Sequence, residues 1–155
     1  MFGSFRKLMA ELVDGGKPPR NYGDNDCRLA AASLLVHTAN IDGNISDAER
    51  TRLHEVIKQR FALDDDATDR LVEEATEADS KAIDLYQFTS RLNRALDDAG
   101  RARLVEMMWQ IVYADGAVTE FEDNLIWRAA DLLNVSRDAR IALRERVAAA
   151  QAKAT

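Results

Sequence analysis

Proline is nearly missing from this chain. Pro18 and Pro19 are its only two, and everything beyond them is free of the residue that most strongly breaks helices. Ala, Leu, Arg, Glu and Asp dominate that proline-free stretch, so helices are expected nearly throughout. Cysteine occurs once, at Cys27, which excludes an intramolecular disulfide and fits a reducing compartment. Cys27 itself is expected as a small buried apolar residue. Positive charge is in deficit: the net charge is −6. Nucleic-acid binding calls for a basic patch or stripe, so DNA and RNA are not expected partners. No apolar run approaches the ~20 residues of a membrane-spanning helix. The N-terminus lacks the long apolar core of a secretory signal. Together these absences predict a cytoplasmic protein.

What is present is a chain of 155 residues, 46% apolar and 31% charged, which is enough for one globular domain with a real core. Residues 1–23 read as an N-terminal segment and linker, followed by a helical domain over 24–152. Within the segment, Phe2, Phe5, Leu8, Met9, Leu12 and Val13 fall on one face of a helix over 2–13. Asp-Gly-Gly-Lys-Pro-Pro at 14–19 ends it. This helix either packs on the domain, a second copy or another protein, or lies on a membrane surface. Its two cations, Arg6 and Lys7, are few for an interfacial anchor.

Helical spacing then predicts helices over about 25–40, from Ser46 through Phe61, over 64–79, 82–95 and 98–114, from Thr119 through Leu133, and from Ser136 to about Ala150. No segment alternates as a strand does. An all-α bundle of seven to eight helices with two pseudo-symmetric halves is expected. Trp109, Trp127, Tyr113, Tyr86 and the phenylalanines sit at helical core spacing. The 64–79 stretch holds eight carboxylates against one cation, Arg70, and reads as a solvated face. The last helix carries Arg137, Arg140, Arg144 and Arg146, which are candidates to pair with that acidic face within or between chains. His37 and His54 have no counterparts in the second half, and read as ordinary hydrogen-bonded helical residues.

One phrase is written twice. Residues 42–49 read Asp-Gly-Asn-Ile-Ser-Asp-Ala-Glu, and residues 115–122 read Asp-Gly-Ala-Val-Thr-Glu-Phe-Glu, 73 positions later. Ser46 with Glu49, and Thr119 with Glu122, have the spacing of capping boxes. An EF-hand is the first rival. Gly43 and Glu49 fit loop positions 6 and 12, but position 1 would be Thr38 in the first copy and Ile111 in the second. Isoleucine offers no side-chain ligand, so a working EF-hand pair is not expected.

The repeat resembles the TerB-like family of tellurite-resistance proteins. The resemblance rests on Ala-x-x-Asp-Gly-x-[Ile/Val]-[Ser/Thr]-x-x-Glu, which runs from Ala39 to Glu49 and again from Val112 to Glu122. Val112 departs from the Ala of the first copy. The resemblance covers about residues 24–150. It implies an all-α fold of two pseudo-symmetric halves whose motif carboxylates meet as a divalent-metal site. It also implies a bacterial stress-response role, including tellurite resistance, exercised through protein partners and often beside membrane complexes.

Elementary electrostatics supports the metal reading. Asp42, Glu49, Asp115 and Glu122 would cluster if the turns face each other, and a hard cation such as Ca²⁺ or Mg²⁺ would relieve their repulsion. No thiol cluster is present to favour a soft metal. The competing reading is structural: the aspartates accept turn amides, and the glutamates close caps worth about 1 kcal/mol each. Capping already engages Glu49 and Glu122, which weakens them as ligands. The expected function is a non-enzymatic interaction module that binds a divalent cation at its repeated turns. The alternatives are a metal-free oligomeric scaffold and, less favoured, a metal-dependent hydrolase, for which neither turn supplies a catalytic His, Lys or Ser.

Overall fold

The computed structural model describes residues 27–41, 43 and 45–154; the side chains of Asp115 and Ala154 lie outside that description. Among the described residues the chain forms seven α-helices and no strand. They are α1 (Cys27–Ala39), α2 (Asp47–Arg60), α3 (Asp65–Lys81), α4 (Tyr86–Ala95), α5 (Asp98–Val112), α6 (Glu120–Leu132) and α7 (Arg137–Ala154). A single 3-10 turn, Tyr113–Asp115, follows α5. The expected helix over 2–13 lies outside the described residues.

The repeat extends well beyond the turns. A shift of 73 residues carries α1 onto α5, α2 onto α6 and α3 onto α7, with every helix end matching to within two residues. Helix α4 has no counterpart and packs on α1 and α6. The two halves use the same internal packing: α1 on α2 and α3, α5 on α6 and α7. The halves meet chiefly where α1 crosses α5 and where α2 packs on α5.

Composition explains why α1 and α5 are central. Every residue of α1 except His37 is buried, and its alanines let neighbouring helices approach closely. A helix that is apolar all round belongs inside. Its two hydroxyls cost little there, because Ser33 Oγ donates to the Leu29 carbonyl and Thr38 Oγ1 to the Leu34 carbonyl. Helix α5 buries an unbroken run from Leu104 to Trp109. Around this pair, α2 buries Leu53, Val56 and Ile57, and α6 buries the equivalent Ile126, Ala129 and Ala130.

One buried residue in the α5 run is charged. Glu106 accepts from Arg60 of α2 at 2.9 Å and from Arg146 of α7 at 2.5 Å, with Arg103 at 3.5 Å. The carboxylate is 6% exposed and Arg60 is 8% exposed, so this is a desolvated junction of three helices. Burial pulls the Arg60 guanidinium below its ordinary pKa, and Glu106 opposes that fall. Breaking such a pair costs far more than forming it gains, which ties α2 and α7 to α5 in one register.

The elements α2 and α6 also end alike. Ala62 and Asn134 adopt left-handed backbone, with φ of 54° and 60°. The amide of Leu63 donates to the Lys58 carbonyl and that of Val135 to the Ala130 carbonyl. Both closures are of the Schellman type.

Some expectations need correction. Trp127, Tyr86 and Phe121 are 54%, 65% and 71% exposed, so they are not core residues. Each occupies an outward position of its helix, where spacing alone does not separate an apolar face from a solvated one. The fourth helix begins at Tyr86 rather than 82: the Asp84 carboxylate accepts from the Tyr86 amide and holds 82–85 as a bend, leaving Ile83 exposed. Among the described residues no ion pair joins the Arg-rich α7 to the acidic 64–79 face. Arg144 binds Asp123 and Arg146 binds Glu106, whereas Asp65, Asp69, Glu77 and Asp79 find Lys58, His54, Lys81 and His37. No helix among the described residues is long and apolar enough to cross a membrane.

Candidate metal centre at the repeated turns

Each turn is built the same way. Gly43 and Gly116 have φ of +83° and +84°, a conformation that L side chains rarely adopt. A Cβ at either would meet nothing within 4 Å, so torsion alone demands glycine. Three residues on, Ser46 and Thr119 cap α2 and α6. The Ser46 hydroxyl accepts from the Glu49 amide at 3.0 Å, and Glu49 Oε1 accepts from the Ser46 amide at 3.3 Å. The Thr119 hydroxyl accepts from the Glu122 amide at 3.1 Å, and Glu122 Oε1 accepts from the Thr119 amide at 2.8 Å. Both capping boxes read from the sequence are formed.

The caps consume only one oxygen of each glutamate. Glu49 and Glu122 are 4% and 3% exposed, and the fold brings them together across the pseudo-symmetry, near enough for each to feel the other's charge. Burial is the main cause that raises the Glu122 pKa from 4.5 to about 7; the charge of Glu49 adds to it, and the Thr119 amide opposes it. Glu49 Oε2 is buried without a hydrogen-bond donor. Two ionised carboxylates in this position would repel and leave that oxygen unsatisfied. A proton retained by Glu122 relieves that repulsion.

Asp42 lies outside the described residues. Asp115 ends the 3-10 turn, and its side chain lies outside them as well. Among the described residues no group of three or more His, Cys, Asp or Glu side chains is placed to hold a metal. The described part of the site is thus the glutamate pair, with each aspartate one residue before its left-handed glycine.

The second turn is braced by α7. Arg144 donates through Nε to the Tyr113 hydroxyl at 3.0 Å and through Nη1 to Asp123 at 2.8 Å. The same guanidinium lies over the Trp109 ring, 5.1 Å from its centroid. Gln151 reaches the Ala114 carbonyl at 3.5 Å. Sequence reading missed this brace, although an Arg recurring through a terminal helix was its signal. The Glu106 junction was missed too; a lone carboxylate inside Leu104–Trp109 was the clue there. The histidines play no part in the centre: His37 binds Asp79 at 2.8 Å and His54 binds Asp69 at 2.9 Å.

No curated protein and no solved structure matches the chain. The family model described as tellurite resistance protein TerB matches residues 28–145, from the first turn of α1 into the middle of α7. That span takes in both repeated turns and covers well over half of the sequence, so the chain belongs to the TerB family.

Proposed function

We propose that this protein is a non-enzymatic interaction module of the tellurite-resistance type, acting in the cytoplasm, whose two halves are locked together by a divalent cation. The observation that carries the reading is the buried Glu49–Glu122 pair with its partnerless Glu49 Oε2. Asp42, Glu49, Asp115 and Glu122 are the residues that would hold the ion. They offer only hard oxygen donors, which fits Ca²⁺ or Mg²⁺ and disfavours softer metals. The cation would take the place of the proton that Glu122 otherwise retains.

The mechanism is linkage. An ion that binds only the folded arrangement stabilises it by RT ln(1 + [L]/Kd), about 2.7 kcal/mol at a hundredfold excess over Kd. Glu49 starts α2 and Glu122 starts α6, so the ion would fix one half relative to the other. Protein partners, including membrane-associated complexes of this family's stress response, would read that fixed surface.

The test is thermal unfolding of chelator-stripped protein with and without millimolar Ca²⁺ or Mg²⁺ at constant ionic strength. A rise in midpoint of roughly 5–10 °C for one ion is expected. The paired Asp42→Ala, Asp115→Ala variant should lose it. An unchanged midpoint in the parent would favour the metal-free scaffold, and an unchanged ion effect in the variant would remove the aspartates from the ligand set.

A further inference from the structure

A groove of about 390 Å³ lies beside the first turn, lined by Ile41, Phe121, Asn124, Trp127 and Arg128. Phe121, Asn124, Trp127 and Arg128 share one face of α6. Phe121 and Trp127, 71% and 54% exposed, both wall this groove. The groove between α5 and α7 is lined mainly by alanines, Ala102, Ala139 and Ala142. The Arg140 guanidinium lies over the Trp127 ring, 5.8 Å from its centroid. Exposed aromatics concentrated on one groove mark a binding surface rather than scattered surface apolarity.

We infer that this groove receives the apolar face of residues 2–13 of the same chain. Phe5, Leu8, Met9 and Leu12 lie at i, i+3, i+4 and i+7, the anchor spacing of a helix laid into a groove. The face of α6 from Phe121 to Arg128 runs about 10 Å, which two turns of such a helix would cover. Reach is sufficient. Helix α1 is about 20 Å long and separates Cys27 from the groove at Ile41. Residues 14–26 can extend up to about 43 Å, enough to run the length of α1 and return into the groove. Tethering keeps the local concentration of the segment high, so modest contacts are enough to hold it.

The inference stands on the groove and the segment alone and is independent of any cation, so its test is run in chelator. Phe5 is replaced by p-benzoylphenylalanine in the full chain, which is irradiated at low concentration, and the adducts are mapped by mass spectrometry. Adducts within a single chain to Ile41 or to residues 121–128 are expected. Their yield should fall about tenfold in the Phe121→Ala, Trp127→Ala variant, because the two aromatic walls supply most of the apolar contact. Both sites are exposed, so the variant should keep its unfolding midpoint, which circular dichroism checks. Adducts between chains would instead make a second copy the occupant. Adducts elsewhere, no adduct, or an unchanged yield in the variant would each overturn the proposal.

Discussion

Replacing Glu122 by Gln isolates the electrostatics of the buried pair. Gln keeps an oxygen to accept from the Thr119 amide and gains an amide that can donate to Glu49, while losing the charge. In the parent, Glu122 has a folded pKa of about 7 against an ordinary 4.5. Each pKa unit corresponds to about 1.4 kcal/mol, so the rise amounts to at most about 3 kcal/mol. The sign follows from proton uptake: between pH 4.5 and about 7 the folded state holds the proton and the unfolded state has released it. The contribution of the pair is therefore complete below the unfolded pKa and is lost as pH rises through the folded one. Glu122→Gln removes that loss. In chelator at about pH 8 the variant should be up to about 3 kcal/mol more stable, or roughly 6–12 °C higher in midpoint. At about pH 5 the two proteins should differ by less than about 1 kcal/mol. Thermal unfolding followed by circular dichroism at both pH values reads the effect. A variant less stable than the parent by the same amount at both pH values would refute the reasoning, and would reduce Glu122 to a helix cap worth about 1 kcal/mol.

Three further outcomes follow from the same structure. Glu106→Ala strands the buried Arg60 beside Arg103 and Arg146 and should cost about 3–5 kcal/mol in urea unfolding; a loss under about 1 kcal/mol would mean that the junction is already solvated. Ala62→Gly relieves a left-handed residue at the end of α2 and should add roughly 0.5–1 kcal/mol to stability. Ser46→Ala and Thr119→Ala should each cost about 1 kcal/mol, read by the same unfolding, and the costs should add unless the two caps cooperate through the glutamate pair.

Local chemistry was the legible part of the sequence. Ser46, Thr119 and Ser136 announce helix starts, and their hydroxyls cap α2, α6 and α7 as their spacing predicts. The repeat foretold two matching halves. What spacing could not supply was the direction in which each half faces. Phe121 and Trp127 lie at the same helical intervals as core residues, yet point outward, because the inward face of α6 is already filled by Leu125, Ile126, Ala129 and Ala130. The capping role of Glu49 and Glu122 weakened them as ligand candidates in sequence. The structure removes that objection, because a capping box uses one carboxyl oxygen and leaves the other. That the two glutamates lie close enough to act on each other is a tertiary fact. It depends on α2 and α6 presenting their first turns to each other, which no local pattern encodes.

The most direct test of the account is calorimetric titration of Ca²⁺, and separately Mg²⁺, into chelator-stripped protein near pH 7, repeated in two buffers of different ionisation enthalpy. A cation that displaces the proton from the Glu49–Glu122 pair must release a fraction of a proton per ion bound, and the observed heat must then depend on the buffer. Binding with proton release, lost in Glu49→Gln and without proton release in Glu122→Gln, is the predicted result. Binding that neither releases a proton nor responds to either substitution, or no binding of either ion, would contradict it.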